Sequence, residues 1–170
     1  MTELKWIEFA RSKIGLKENT SKTVHNKEII EWLDELGAWW KDDETPWCGT
    51  FVAICLKRAE RALPVHWYRA KDYLNYGTKL RKPAYGSIGV MSRKGGGHVT
   101  FIIGKTKEGD LVCLGGNQNN EVNITAYPLS RFDGFIWPEF KNKVKSQPND
   151  NRYDLPLYNK NNLTKVTSEA

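Results

Sequence analysis

A chain of 170 residues with 39% apolar composition is enough for one ordinary domain around a single core. Its longest unbroken apolar run, the six residues Phe51 to Leu56, is far below the roughly 20 that a membrane-spanning helix needs. Half of the formal net charge of +6 sits in residues 141–170, which hold six Lys/Arg against three Asp/Glu, so the weakly basic body does not read as a nucleic-acid binder.

The opening MTELKWIEFARSKIG alternates charge with apolar residues and lacks the apolar block of a secretory signal, so synthesis in a cytoplasm is expected. Three cysteines, an odd number in a chain of this length, argue for thiols over a disulfide scaffold.

Leu4, Ile7, Ala10 and Ile14 recur at helical spacing before Gly15, and Ile29, Ile30, Leu33 and Leu36 do so before Gly37. The polar stretch from Lys17 to Lys27 between them reads as a loop. A third helix has the clearest start: Thr45 can cap it, Pro46 suits the first helical position, and Phe51, Val52, Cys55 and Ala59 form its apolar stripe, ending before Pro64. A short fourth helix is expected from Ala70 to Tyr76, closed by Gly77. From Lys82 the pattern changes to short β-rich runs, Ile88–Met91, Val99–Ile103, Leu111–Leu114, Val122–Tyr127 and Phe135–Trp137. Helices followed by a meander of strands predict an α+β domain over residues 1–140. Residues 141–170, rich in Asn, Lys, Asp and Pro, read as a polar basic tail that is loosely ordered.

Cys48 falls in the first turn of the third helix. Unpaired backbone N–H groups and the helix dipole there favour an anion, which predicts an acidified thiol, against the alternative of inert packing. Cys55, one stripe further on, reads as core. His98 opens the strand HVTFII behind three glycines, a place that suits a general base. Opposed residues of an antiparallel pair have a constant sum, and a turn around Glu108-Gly109 puts His98 opposite a residue from 117 to 119. Asn117 lies in that window and its amide oxygen could orient the ring; a slip of one residue would turn Asn117 away and promote Gln118. Thiol, imidazole and amide in this order make a nucleophile, base and orienter.

The segments DETPWCGTFV, GGGHVTFIIG, LGGNQNNEVNI and GFIWP resemble the NlpC and CHAP branch of papain-like bacterial and phage cell-wall hydrolases, over about Ile7 to Pro138. The resemblance implies a papain-like fold in which N-terminal helices pack on an antiparallel sheet of about five strands. It also implies peptidoglycan stem peptides as substrate, and Cys48, His98 and Asn117 as nucleophile, base and orienter. This chain departs from CHAP members that orient the histidine with a glutamate or aspartate, having Gly115 and Gly116 there.

Glu18, Asp43 and Glu44 could hold the ammonium of a diaminopimelate side chain, or be a solvated acidic turn. Trp39, Trp40, Trp47, Trp67 and Tyr68 supply flat surface for a sugar or peptide groove, or packing. Of these, Glu18, Asp43, Glu44, Trp47 and Trp67 are the candidates for substrate contact. No CxxC, HxH or HExxH spacing occurs, so no metal and no cofactor are expected. The expected activity is hydrolysis of an amide bond in peptidoglycan through a thioester, by a monomer acting at the wall after release as an endolysin or injection as an antibacterial effector. An effector implies an immunity protein as partner. The competing readings are an inactive wall-binding module and a thiol acyltransferase.

Overall fold

The computed structural model describes residues 2–19, 25–93 and 95–164. The first two apolar stripes become α1 (Lys5–Ser12) and α2 (Lys27–Leu36). Asn26 caps α2 by accepting the backbone N–H groups of Glu28 and Ile29 on its side chain, and Gly37, at φ +80°, supplies the left-handed residue that ends it. Residues 20–24 of the polar loop between these helices lie outside the described residues.

The third helix, α3 (Cys48–Arg58), starts later than the capping residues predict. Thr45 donates its N–H to the Asp42 carboxylate at 2.6 Å, closing a separate turn, and Trp47 becomes the boundary residue. Cys48 is therefore the first helical residue. Every side chain from Phe51 to Leu56 is fully buried, so α3 is the central helix, each large apolar residue contributing roughly 1.5–3 kcal/mol of burial. Ala70–Asn75 forms a 3-10 helix where a fourth helix is expected, ended at Gly77, where a Cβ would stand 2.2 Å from the Trp137 carbonyl oxygen.

The fold is α+β. The five expected runs form strands β2 (Ile88–Arg93), β3 (Gly96–Thr106), β4 (Leu111–Gln118), β5 (Glu121–Tyr127) and β6 (Phe132–Trp137). Two short strands add to them, β1 (Thr78–Leu80) and β7 (Leu157–Tyr158). The sheet runs β1-β6-β2-β3-β4-β5 with antiparallel neighbours, and β7 pairs in parallel with the far end of β3. One face, carrying Val90, Val99, Phe101, Ile103, Val112 and Leu114, packs with the helices into the main core. Met91, Ile102, Leu111, Cys113, Tyr127 and Phe135 form a smaller core of their own.

The tail departs from its expected looseness. Residues 150–153 make a 3-10 turn whose Arg152 carbonyl accepts the Tyr85 N–H at 2.7 Å. The Pro156 carbonyl accepts the Lys105 N–H at 2.9 Å, and Thr164 donates to the Ile124 carbonyl at 2.9 Å. Tyr153, Tyr158 and Leu163 pack on the main core, and Tyr158 fits over Gly104, where a Cβ would lie 2.6 Å from its ring. A few spaced apolar residues and an unpaired edge of β3 hold this segment, and neither shows in its average composition. Residues 165–170 lie outside the described residues.

Gly49 lets α3 approach the Trp67–Tyr68 backbone closely. A Cβ there would stand 2.6 Å from the Trp67 carbonyl oxygen and 3.0 Å from the Tyr68 backbone, and Tyr73 donates its hydroxyl to the Gly49 carbonyl at 3.0 Å. Gly49→Ala should cost about 1–3 kcal/mol in urea unfolding, because the crowding atoms are backbone and cannot swing aside.

Candidate active site

Cys48 is 3% exposed, and the backbone N–H groups that favour its anion are those of Val99, Gly49 and its own residue. Two of the three belong to the start of α3, as its position in the first turn requires. The third belongs to β3. Because Ile102 donates its N–H toward β2, to Ser87 at 2.8 Å, alternation aims the Val99 N–H at the β4 margin. The β3–β4 pairing starts only at Phe101↔Leu114, so that margin is open beside Val99. The thiol thus meets the strand at the residue following His98.

The expected acidification of this thiol is not what results. Burial pushes the Cys48 thiol above its ordinary value, and the three N–H groups and the positive charge of Arg93 only partly offset the loss of water. A helix terminus favours an anion by a fraction of what full desolvation costs. Cys55 is raised further by burial and is core, as its place in the stripe predicts.

His98 is fully buried, its ring resting on Tyr127 at 5.7 Å between centroids. Its Nε2 lies 3.1 Å from the Gln118 Oε1, so the orienting amide is Gln118 and not Asn117. The reason lies in β4. Between Gly115↔Asn123 and Gln118↔Glu121 the β4–β5 register slips by one residue, and Asn117 adopts a left-handed backbone at φ +57°. Asn119 and Asn120, at φ +58° and +63°, then make the tight turn into β5 with the two left-handed residues a two-residue hairpin needs. The bulge moves the next side chain onto the face of His98. Gln118 folds back over Gly115, where a Cβ would stand 2.4 Å from the Thr100 hydroxyl and 2.6 Å from the Gln118 amide oxygen.

The amide is held from both ends. Gln118 Nε2 donates to the backbone and side-chain oxygens of Asn123, each at 3.0 Å, which leaves Oε1 as the end facing the histidine. Thr100 donates its hydroxyl to the same Oε1 at 3.0 Å. Asn123 in turn donates to the Gln118 carbonyl at 2.7 Å. An acceptor oxygen facing Nε2 requires the Nε2–H tautomer in a neutral ring, and so puts the lone pair of His98 on Nδ1. Thr100 and Asn123 escaped the sequence reading, although Thr100 shares the face of His98 by alternation.

The acidic candidates separate. Asp43 is fully buried and accepts from the Asn19 N–H at 2.7 Å, the Asn26 N–H at 2.6 Å and His25 Nδ1 at 2.9 Å. It staples the entry of α2 to the segment before Cys48, and it is sealed from any substrate ammonium. Glu44 is exposed and Glu18 half-buried. Burial, outweighing help from the Trp47 side chain, raises Glu18 above the ordinary carboxylate range, with Asp43 and Glu44 adding repulsion. Trp47 is core: it is 1% exposed and lies where a Cβ on Gly116 would be 2.8 Å from its ring. Trp67 is half-buried and stacked on Trp40 at 5.8 Å, and Trp40 and Trp67 both touch Tyr68, which lines the cleft at Cys48. No cluster of three or more His, Cys, Asp or Glu placed to hold a metal occurs among the described residues.

Comparisons of the chain with protein-family models, with curated proteins and with solved structures each found no match. The chemistry therefore rests on the geometry at Cys48 and His98.

Two measurements check this description. Since burial raises the Cys48 thiol above its ordinary value, its alkylation by iodoacetamide should still be rising with pH in the alkaline range instead of levelling off near neutrality. At the staple, the three donors hold Asp43 below the ordinary carboxylate range despite burial, and its partner raises His25. The Asp43 contribution to stability is complete above about pH 4 and is lost as pH falls through its depressed value, whereas that of His25 is complete below about pH 6.5 and is lost as pH rises through its raised value. Asp43→Asn should lower the melting temperature most between those limits and flatten the pH dependence of stability.

Proposed function

We propose that this protein is a papain-like thiol hydrolase of the NlpC/CHAP kind that cleaves an amide bond in the stem peptide or cross-bridge of peptidoglycan. What supports the reading is a cysteine that opens α3 and is influenced by the backbone of Val99, the residue after His98, together with the Gln118 amide oxygen 3.1 Å from His98 Nε2. The family resemblance of the three motifs supplies the substrate class.

Burial favours the neutral form of the Cys48 thiol, so in this reading attack and deprotonation are coupled. His98 Nδ1 takes the Cys48 proton as the sulfur bonds to the carbonyl carbon, and the carbonyl oxygen becomes an oxyanion beside the Cys48 N–H at the start of α3. The C–N bond then breaks, His98 returns its proton to the leaving amine, and a thioester remains. Water attacks the thioester, giving its proton to His98, and the acid leaves as the thiol re-forms. A thiol that is neutral at rest is protected from adventitious alkylation and oxidation, at the cost of depending wholly on its base.

The test is to incubate the protein and its Cys48→Ala variant with purified peptidoglycan and identify products by mass spectrometry. New amine termini with the wild type and none with the variant are expected. Binding without new termini would make the chain a wall-binding module, and products capped by an added amine or alcohol would make it an acyltransferase. His98→Ala should lower turnover by about 10²–10⁴-fold. Gln118→Ala should lower it less, and should also cost about 1–3 kcal/mol of stability by stranding the donors of His98 and Thr100 and the acceptors of Asn123.

A further inference from the structure

Beside Cys48 opens a cleft of about 380 Å³ whose walls are unevenly charged. Among the described residues, Arg69, Lys71 and Arg93 line it against one acid, Asp72. The cations come from two separate elements. Lys71 lies in the 3-10 segment and Arg69 immediately before it; the segment lies close over β3 because Gly97 has no side chain: a Cβ there would be 3.1 Å from the Lys71 stem and 3.5 Å from Ala70. Arg93 ends β2 opposite Gly96, two pairs along the strands from Met91↔His98. Arg69 and Lys71 are both exposed, and neither is in an ion pair with any described residue. Arg69 lies over the Tyr68 ring at 5.6 Å, which limits its freedom.

Charge placed this way in a surface cleft attracts anions. A guanidinium offers a planar carboxylate two parallel hydrogen bonds, and a lysine beside it adds a point charge of the same sign. The position next to the nucleophile means that whatever the cations hold lies within about one residue of the carbonyl that the sulfur attacks. We infer that the cleft of Arg69, Lys71 and Arg93 is a carboxylate-binding subsite, which selects peptide substrates bearing a free carboxylate next to the scissile amide and rejects the same peptides when that group is a carboxamide. The inference rests on the hydrolase reading for its substrate and adds a determinant of which substrates are taken. It also gives Arg93 two roles, since the charge that would face the substrate's anion is the one that partly offsets the burial of the Cys48 thiol.

The test uses soluble stem-peptide fragments with their carboxylates free and the same fragments after carbodiimide amidation, assayed with the full chain and with the Arg69→Gln/Lys71→Gln double variant. For the wild type, kcat/KM should favour the free over the amidated fragments by at least about 10-fold at low salt, and the preference should shrink as ionic strength rises. In the double variant the ratio should fall towards one, with KM for the free fragments rising more than kcat falls. Equal turnover of both forms by the wild type would overturn the subsite. If neither form is turned over, the hydrolase reading fails and binding decides the subsite: calorimetry with Cys48→Ala protein should show free fragments binding at least about 10-fold more tightly than amidated ones, and equal or absent binding would overturn it.

Discussion

The side-chain amide of Gln118 is the joint on which the site depends. An amide can point either way, and a histidine opposite an undetermined amide has no fixed tautomer. Here the two oxygens of Asn123 take both donor positions of the amide nitrogen, so the amide oxygen must face Thr100 and His98. A chain of neutral hydrogen bonds on one face of β3, β4 and β5 therefore decides which nitrogen of a buried ring carries the proton. Each link is ordinary in strength. The specificity comes from the absence of an alternative that leaves every buried donor and acceptor satisfied.

The same stretch shows how a sheet irregularity can do work that a different residue type would do elsewhere. The bulge at Asn117 adds one residue to β4, and the following side chain reaches back over a strand position that has none, Gly115. The space that a carboxylate on residue 115 would fill is filled by an amide arriving from residue 118. An amide leaves the imidazole without a neighbouring negative charge.

Around that joint the charged residues are distributed by burial. Asp43, fully enclosed, is given over to holding the chain together, while Glu18 and Glu44 remain toward the surface beside it. On the cleft side the cations dominate. An ionised group can be spared for a ligand only where water can solvate it in the empty state, and Arg69 and Lys71 meet that condition where Asp43 does not.

Much of this was legible in local patterns. The apolar stripes, Gly37, and the alternation in HVTFII dictated the helices and the strand order of chemistry, and the position of Cys48 in a first turn followed from spacing that survives a late helix start. The register argument reached Asn117 and Gln118 but could not choose between them, because a bulge is set by whether neighbouring strands can accept the extra residue. The tail was misjudged because its docking relies on a few separated side chains and an unpaired strand edge, which no average over composition registers. The thiol's protonation was misjudged for a similar reason: helix position is local, and burial is not. Sequence by itself determined the three α-helices, the five main strands, their order and the nucleophile and base candidates, since these depend on periodicity and short-range backbone rules. Only the tertiary structure decided which amide faces the imidazole, how water is excluded from the sulfur and which charges surround it, since each depends on distant segments brought within a few ångströms of one another.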